Sequence, residues 1–310
     1  MVIERQLRPA TTKCYIELLH TYDGFLREAS GGTAYADVIE ENVGPDRIVR
    51  KHITGLRYED IKVSFGPNMG DEFFKWLKEG FNGKLKKDLM RRTGALVRLD
   101  TDDHEIGRLA FENAILSELT IPGLNASGKE PVYFDLTMIP GSTTLKHGHP
   151  GGKVNPPLKG HDSYLASNFT IDIPTCTNSC KKVSKVDPIR IKQQIFRDRG
   201  ADEQKDFAVE LGALEYSHLG LTVAEAHADE FYKWFEDFVI KGNNDQDMER
   251  NGTLTFLGSD LKRVLFKLKL NNLGIFRIEP AKEDGPEPAR RVKVQMYVEN
   301  LEIEEFAKSR

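Results

Sequence analysis

Three cysteines cannot all pair with one another, so this chain is not a disulfide scaffold. Cys14, Cys176 and Cys180 read as reduced thiols. Cys176 and Cys180 form a C-x3-C that would bridge only under oxidation. No stretch approaches the ~18–20 consecutive apolar residues of a membrane helix. The opening MVIERQLRPATTK lacks the apolar core of a secretory signal, which predicts a cytoplasmic protein. An excess of positive charge is also missing. Forty-four Lys and Arg face 48 Asp and Glu, a net charge of −4, which argues against a nucleic-acid binder. No catalytic constellation is visible. GHPGGK, at 148–153, lacks the spacing of a phosphate loop. Neither an enzyme nor a cofactor is expected.

What is present is a repeated unit. LRYEDIKVSFGPNMGDEFFKWLKEGF, Leu56 to Phe81, begins as a strand in which Ile61, Val63 and Phe65 alternate with polar residues. After GPNMG, the acidic Asp71 and Glu72 suit a helix N-terminus. Phe73, Leu77 and Phe81, with Phe74 and Trp76 beside them, make one apolar helical stripe. LEYSHLGLTVAEAHADEFYKWFEDFV, Leu214 to Val239, repeats the pattern. Tyr58 and Tyr216, Asp71 and Asp229, and Trp76 and Trp234 share one offset of 158 positions (216 − 58, 229 − 71, 234 − 76). RLAF at Arg108 returns as RVLF at Arg263. The alternating strand from Val132 to Met138 returns from Val292 to Val298. The chain therefore reads as two copies of one domain, 1–140 and 164–310, each with its own core, joined by a Gly-, Pro- and His-rich linker at 141–163. The expected fold is mainly β, a sandwich or barrel with one packed helix per domain.

Along the chain, residues 1–12 read as an arm and KCYIELL as the first strand, with NFTIDIP its counterpart. TAYADVIEENVGPDRIVRKHITGL reads as a long hairpin turning at Gly44–Asp46. Its two faces are mixed. Tyr35, Asp37, Ile39 and Glu41 with Arg47, Val49 and Lys51 are candidates for contact with a neighbouring subunit or a wet lumen. DDHEIGRLAFENAILSELTI reads as strands broken by a turn. The region around Ile189 to Phe196 is expected to be a longer or partly helical version of the hairpin, and NLEIEEFAKSR a charged tail.

HITGLRYEDIKVSFG followed by DEFFKWLKEGF carries a resemblance to the tail-tube family of contractile phages and phage-like contractile injection systems. GFLREASGGTAYADVIEENVGPDRIVRKH resembles the hairpin region of tandem phage tail proteins. The second half matches through its strand–helix unit and last strands, lacks that hairpin sequence, and has Ala213 where Gly55 stands. The resemblance implies barrel domains packed six to a ring, hairpins joined into an inner sheet, and helices facing outward or between subunits. The partners implied are copies of this chain, as a trimer giving a pseudo-hexameric ring or as a hexamer. Neighbouring tube, sheath or hub and spike proteins follow, with cargo or DNA passing through without specific binding. Asp71, Phe74, Trp76, Lys84, Lys86, Lys87, Asp229, Tyr232 and Trp234 are the candidates for outer contacts, with Trp76 and Trp234 read first as core or helix-packing residues. A tail cap or baseplate component is an alternative role.

An alternative of another class is a metal-binding domain or enzyme using His147, His149 and His161 with Cys176 and Cys180, although the spacing matches no standard zinc pattern. Asp100, Asp102, Asp103 and Glu105 form an acidic cluster that reads as a cation site or a solvated loop. KLKKDLMRR, Lys84 to Arg92, is a basic run suited to an acidic partner or to solvent.

Overall fold

Alternating burial builds most of this chain, as it does along Ile61, Val63 and Phe65, whose polar neighbours stay at the surface. The computed structural model describes residues 13–41, 48–82, 90–147, 154, 163–198, 208–281 and 290–306. Arg47, Lys84, Lys86, Lys87, His149, His161 and the arm at 1–12 lie outside the described residues. The first half holds β1 (Lys13–Leu18), β2 (Thr21–Ser30), β3 (Ala34–Glu41), β4 (Arg50–Tyr58), β5 (Ile61–Met69), α1 (Asp71–Phe81), β6 (Arg92–Leu99), β7 (Glu105–Ile121), β8 (Leu124–Asn125), β9 (Pro131–Val132), β10 (Phe134–Ile139) and β11 (Ser142–His147). The second holds β12 (Tyr164–Leu165), β13 (Phe169–Asp172), α2 (Thr177–Cys180), β14 (Val183–Val186), β15 (Ile189–Asp198), β16 (Ala208–Tyr216), β17 (Leu219–Ala224), α3 (Asp229–Phe235), β18 (Arg250–Leu257), β19 (Val264–Pro280) and β20 (Arg291–Phe306).

Two barrel-like sheets result. The first runs β10-β5-β2-β1-β6-β7 and closes through pairing of β7 with β10. The second runs β13-β18-β19-β20-β17-β14, the same order of corresponding strands, but is open between β13 and β14, where the first is closed between β1 and β2. The long strands β7 and β19 are each 17 residues, and both bounds of the second lie 159 positions after those of the first (264 − 105, 280 − 121). Asn113 and Asn272 both adopt positive φ, 52° and 55°, where the register shifts against β6 and β18. Asparagine tolerates this left-handed conformation better than most side chains. The expected turn inside Glu105–Ile121 is thus a bulge in one continuous strand.

The halves exchange strands. β8 from the first half pairs with β14, and β9 pairs with β12. β15 from the second half pairs with β7, setting Ile189 opposite Ile121 and Lys192 opposite Glu118. Phe134 is the meeting point. Its ring lies 5.5 Å from Phe65, 4.9 Å from Tyr164, 5.5 Å from Phe256 and 5.0 Å from Phe266. Most buried apolar residues of both halves form one continuous cluster, with a small second one of Tyr15, Ala95, Val97, Leu99 and Val154. Separate cores, expected from the repeat, are therefore not what forms, because the aromatic residues at the seam bury each other. Of the longer or partly helical hairpin expected around Ile189 to Phe196, the strand form is what the chain adopts, and the segment from 141 opens with β11 paired to β7. One expectation is corrected, since the charged tail extends β20 to Phe306.

The helices follow their apolar stripes. Phe73, Phe74, Trp76, Leu77 and Phe81 of α1 are buried, and the Trp76 indole N–H donates to the Met90 carbonyl at 2.9 Å. Gly70 gives α1 no side-chain cap. Asp23, on β2, supplies one instead, its carboxylate accepting from the Phe73 and Glu72 amides. Burial, aided by Glu72 and Asp71, raises the Asp23 carboxyl to about 6 against those hydrogen bonds. The far end of α1 lies on the second half. Lys78 donates to the Glu304 carbonyl, and the Asn82 side chain exchanges hydrogen bonds of 3.0 and 2.9 Å with the Ile303 backbone. In α3, Phe231 and Trp234 are buried, and a π-helical turn, Glu236–Ile240, continues the stripe to Phe238.

Two outcomes follow from this packing. Phe134→Ala is expected to cost about 3–5 kcal/mol, read as a shift of one common urea transition whether probed at Trp76 or at Trp234. Separate transitions for the two tryptophans would contradict a shared core. For Asp23, the folded state holds a proton that the unfolded chain releases between its ordinary pKa near 4 and about 6. Its contribution to stability is full below that window and is lost as pH rises through about 6. The difference in melting temperature between wild type and Asp23→Asn should change across pH 4–7 with that sign. A constant difference would refute it.

Candidate assembly surface

The hairpin of β3 and β4 takes no part in either barrel. β3 and β4 form a two-stranded sheet of their own, so both outer edges are open among the described residues. Their cross-strand partners run Glu41–Arg50, Glu40–Lys51, Ile39–His52, Val38–Ile53 and Asp37–Thr54. The register then shifts, and Ala36 pairs with Leu56, Tyr35 with Arg57 and Ala34 with Tyr58. Gly55 is the extra residue, at φ +43°, with open space around the position of its absent side chain.

The bulge decides what each face carries. Directly paired residues share a face. One face therefore presents Ala36, Val38, Ile53 and Leu56, ending in the Glu40–Lys51 ion pair at 2.6 Å. The other carries Tyr35 and Ile39 among charges. Arg57 meets Asp37 at 2.7 Å, and His52 lies 3.8 Å from Glu41. Tyr35, Val38, Ile39, Ile48, Val49, Ile53 and Leu56 are all exposed, Ile53 at 78%. Among the hairpin candidates, pairing with Glu40 puts Lys51 on the face opposite Tyr35, Asp37, Ile39 and Glu41. Strict alternation would have kept Leu56 away from Val38. The extra residue Gly55 brings it round.

Of the helix candidates, Asp71, Asp229 and Tyr232 are exposed. Phe74, Trp76 and Trp234 are 6%, 0% and 2% exposed, so packing within the chain removes them from partner contact. Arg250 lies 4.2 Å over the Trp234 ring and donates to the Cys176 sulfur at 2.9 Å. A guanidinium at that sulfur opposes a metal there. All three cysteines are free thiols, and burial pushes Cys14 up to about 11 and Cys180 up to about 12.

The second hairpin, β15–β16, exists although its sequence departs from the first. Its register shifts at Gly212–Ala213, the position that corresponds to Gly55. Its root is held by β7, and it leaves a cleft of about 640 Å³ against the first barrel, lined by Lys62, Thr137, Ile139, Ile195 and Phe196. Asp100, Asp102 and His104 converge closely enough to hold a cation, but Asp100 Oδ1 already accepts from the Asp102 and His104 amides. Asp103 is bound by Lys13 at 2.7 Å and Glu105 by Arg108.

No family model and no curated protein matches this sequence. Among solved structures, the chain is similar to the tube-terminating cap of the anti-feeding prophage, with 15% identity, 48% of this chain and 95% of that chain covered, and a TM-score of 0.38. It is also similar to a chain of the sheath–tube complex of an extracellular contractile injection system, PVC, with 15% identity, 47% and 94% covered, and a TM-score of 0.37. For Hcp1 from Flavobacterium johnsoniae the identity is 9%, the coverage 44% and 93%, and the TM-score 0.27.

Proposed function

We propose that this chain is a structural, ring-forming component of a phage-like contractile tail or injection particle, lining its conduit as a tube segment or a tube-to-hub adaptor. The observation that carries the reading is the β3–β4 hairpin. An isolated hairpin is marginal in water, and open edges with exposed apolar side chains are a liability in a lone chain. Seven large apolar residues are exposed along the hairpin and its approach to β4. Joining to a neighbour satisfies the backbone groups and covers the side chains. The motif resemblance of HITGLRYEDIKVSFG and DEFFKWLKEGF gives this joining its setting.

The chain is read as two tandem tail-tube-like domains, 1–140 and 164–310, with 141–163 between them. The common strand order, the paired Asn113 and Asn272 bulges and the matching hairpin bulges support that reading. Its mechanism is mechanical. Rings assemble in the cytoplasm and stack into a conduit inside a sheath, and the charged hairpin face meets the lumen. DNA or protein slides past that face without being held. The Val38–Ile53–Leu56 face turns toward neighbouring protein, since burying each such side chain is worth roughly 1.5–3 kcal/mol.

Electron microscopy of the purified chain is expected to show rings or short tubes with a central channel. Val38→Asp with Ile53→Lys should abolish them without lowering the melting temperature, because both side chains are exposed in the single chain and the new charges are opposite in sign across the pair. Two-lobed single chains from the wild type at every concentration would overturn the proposal.

A further inference from the structure

The second hairpin forks away from the first barrel. β15 pairs with β7 only from Ile189 to Lys192, where Lys192 faces Glu118. From Gln193 onward that edge of β15 has no strand beside it among the described residues, while the other edge stays paired with β16 as far as Asp198. The matching edge of β7 is unpaired as well, between Glu118 and Ala114, where β6 takes over. Strand edges of this kind hold backbone N–H and C=O groups that need partners. The cleft of about 640 Å³ lies at the fork.

The cleft is unevenly supplied. Ile139, Ile195 and Phe196 line it, and Phe196 is 59% exposed. Its acids are already engaged. Glu118 meets Arg190 at 3.2 Å, Glu215 accepts from the Gln194 amide, and Asp60 has an interaction within the chain. Lys62 and Lys192 line the same cleft, are exposed, and have no ion pair among the described residues. An open strand edge, an apolar wall and two ammonium groups are what remain for a ligand.

We infer that this cleft seats an extended peptide segment of a partner protein. The segment adds as a strand to β15 beyond Lys192, with apolar side chains against Phe196 and carboxylates on Lys62 and Lys192. Strand addition takes affinity from main-chain hydrogen bonds and specificity from alternate side chains. One strand fills roughly 4.8 by 10 Å in cross-section, so 640 Å³ holds about four residues of a single strand, or about two per strand of a ribbon such as β3–β4. The space therefore suits a lone strand and not the hairpin of another copy. This goes beyond the conduit reading and does not rest on it.

The test uses a fluorescein-labelled peptide of about six residues, alternating valine and glutamate and capped at both ends, read by anisotropy. It should bind the wild-type chain and the Val38→Asp, Ile53→Lys chain alike, saturating below about 1 mM. Lys62→Gln with Lys192→Gln should weaken binding at least about tenfold at an unchanged melting temperature, since both side chains are exposed. A valine–lysine peptide should stay free. Methylating alternate peptide nitrogens of the valine–glutamate peptide, in one of the two registers, should abolish binding, because it removes main-chain donors and keeps the charge.

A valine–glutamate peptide that stays free at about 1 mM overturns the inference, as does equal binding of the lysine peptide or indifference to methylation in both registers. Binding to the Val38→Asp, Ile53→Lys chain but not to wild-type rings means that a second copy fills the cleft, and overturns the assignment to a partner. Microscopy reads the rings separately, so this inference and the conduit reading fail on different results.

Discussion

The contact on which the rest of the molecule depends is Phe134 against Tyr164, Phe256 and Phe266. The second sheet is open between β13 and β14, and an open barrel cannot seal its interior by itself. The first half helps by lending β8 to β14 and laying α1 against β20. In return the second half lends β15 to β7. Each exchange is short, but together they hold the aromatic rings in one dry volume. The double hydrogen bond between Asn82 and Ile303 has the same logic, since a strand backbone left bare would lose its partners.

Because the seam fixes the two barrels against each other, the hairpins differ in freedom. β15–β16 is rooted in the first barrel's sheet and β3–β4 is not. Both keep a bulge at the corresponding place, so the local bend survives where the sequence does not. What differs is the attachment of the neighbouring strand. Similar local geometry therefore gives one hairpin a place in the fold and leaves the other with both outer edges open among the described residues.

Local order was legible in the residues. Ile61, Val63 and Phe65 announced β5, and Phe73, Leu77 and Phe81 announced α1, because each pattern is written within one turn or one pleat. The repeat offset placed α3 at Asp229 by the same local signal. What failed to show was non-local. Nothing within VYFDLTMIP says that Phe134 will meet Phe256, some 120 residues later, since that contact depends on how two finished sheets dock. The bulges at Asn113 and Gly55 were also hidden, and each is a one-residue event with a large effect. At Gly55 it moved Leu56 beside Val38 and turned a hairpin read as mixed on both faces into one with an apolar side. Trp76 read first as a packing residue and second as a partner contact, and the Met90 carbonyl that accepts its indole N–H belongs with the first reading.

Edge charges usually keep strands from pairing with other chains. That explanation fits β3–β4 poorly. Protection by charge works when an edge repels every copy of itself, which needs one sign on both edges or inward-pointing charges. Here the signs are opposed across the hairpin, and Glu40–Lys51 and Asp37–Arg57 already neutralise one another within it. Their exposed ion pairs add little to the stability of the single chain.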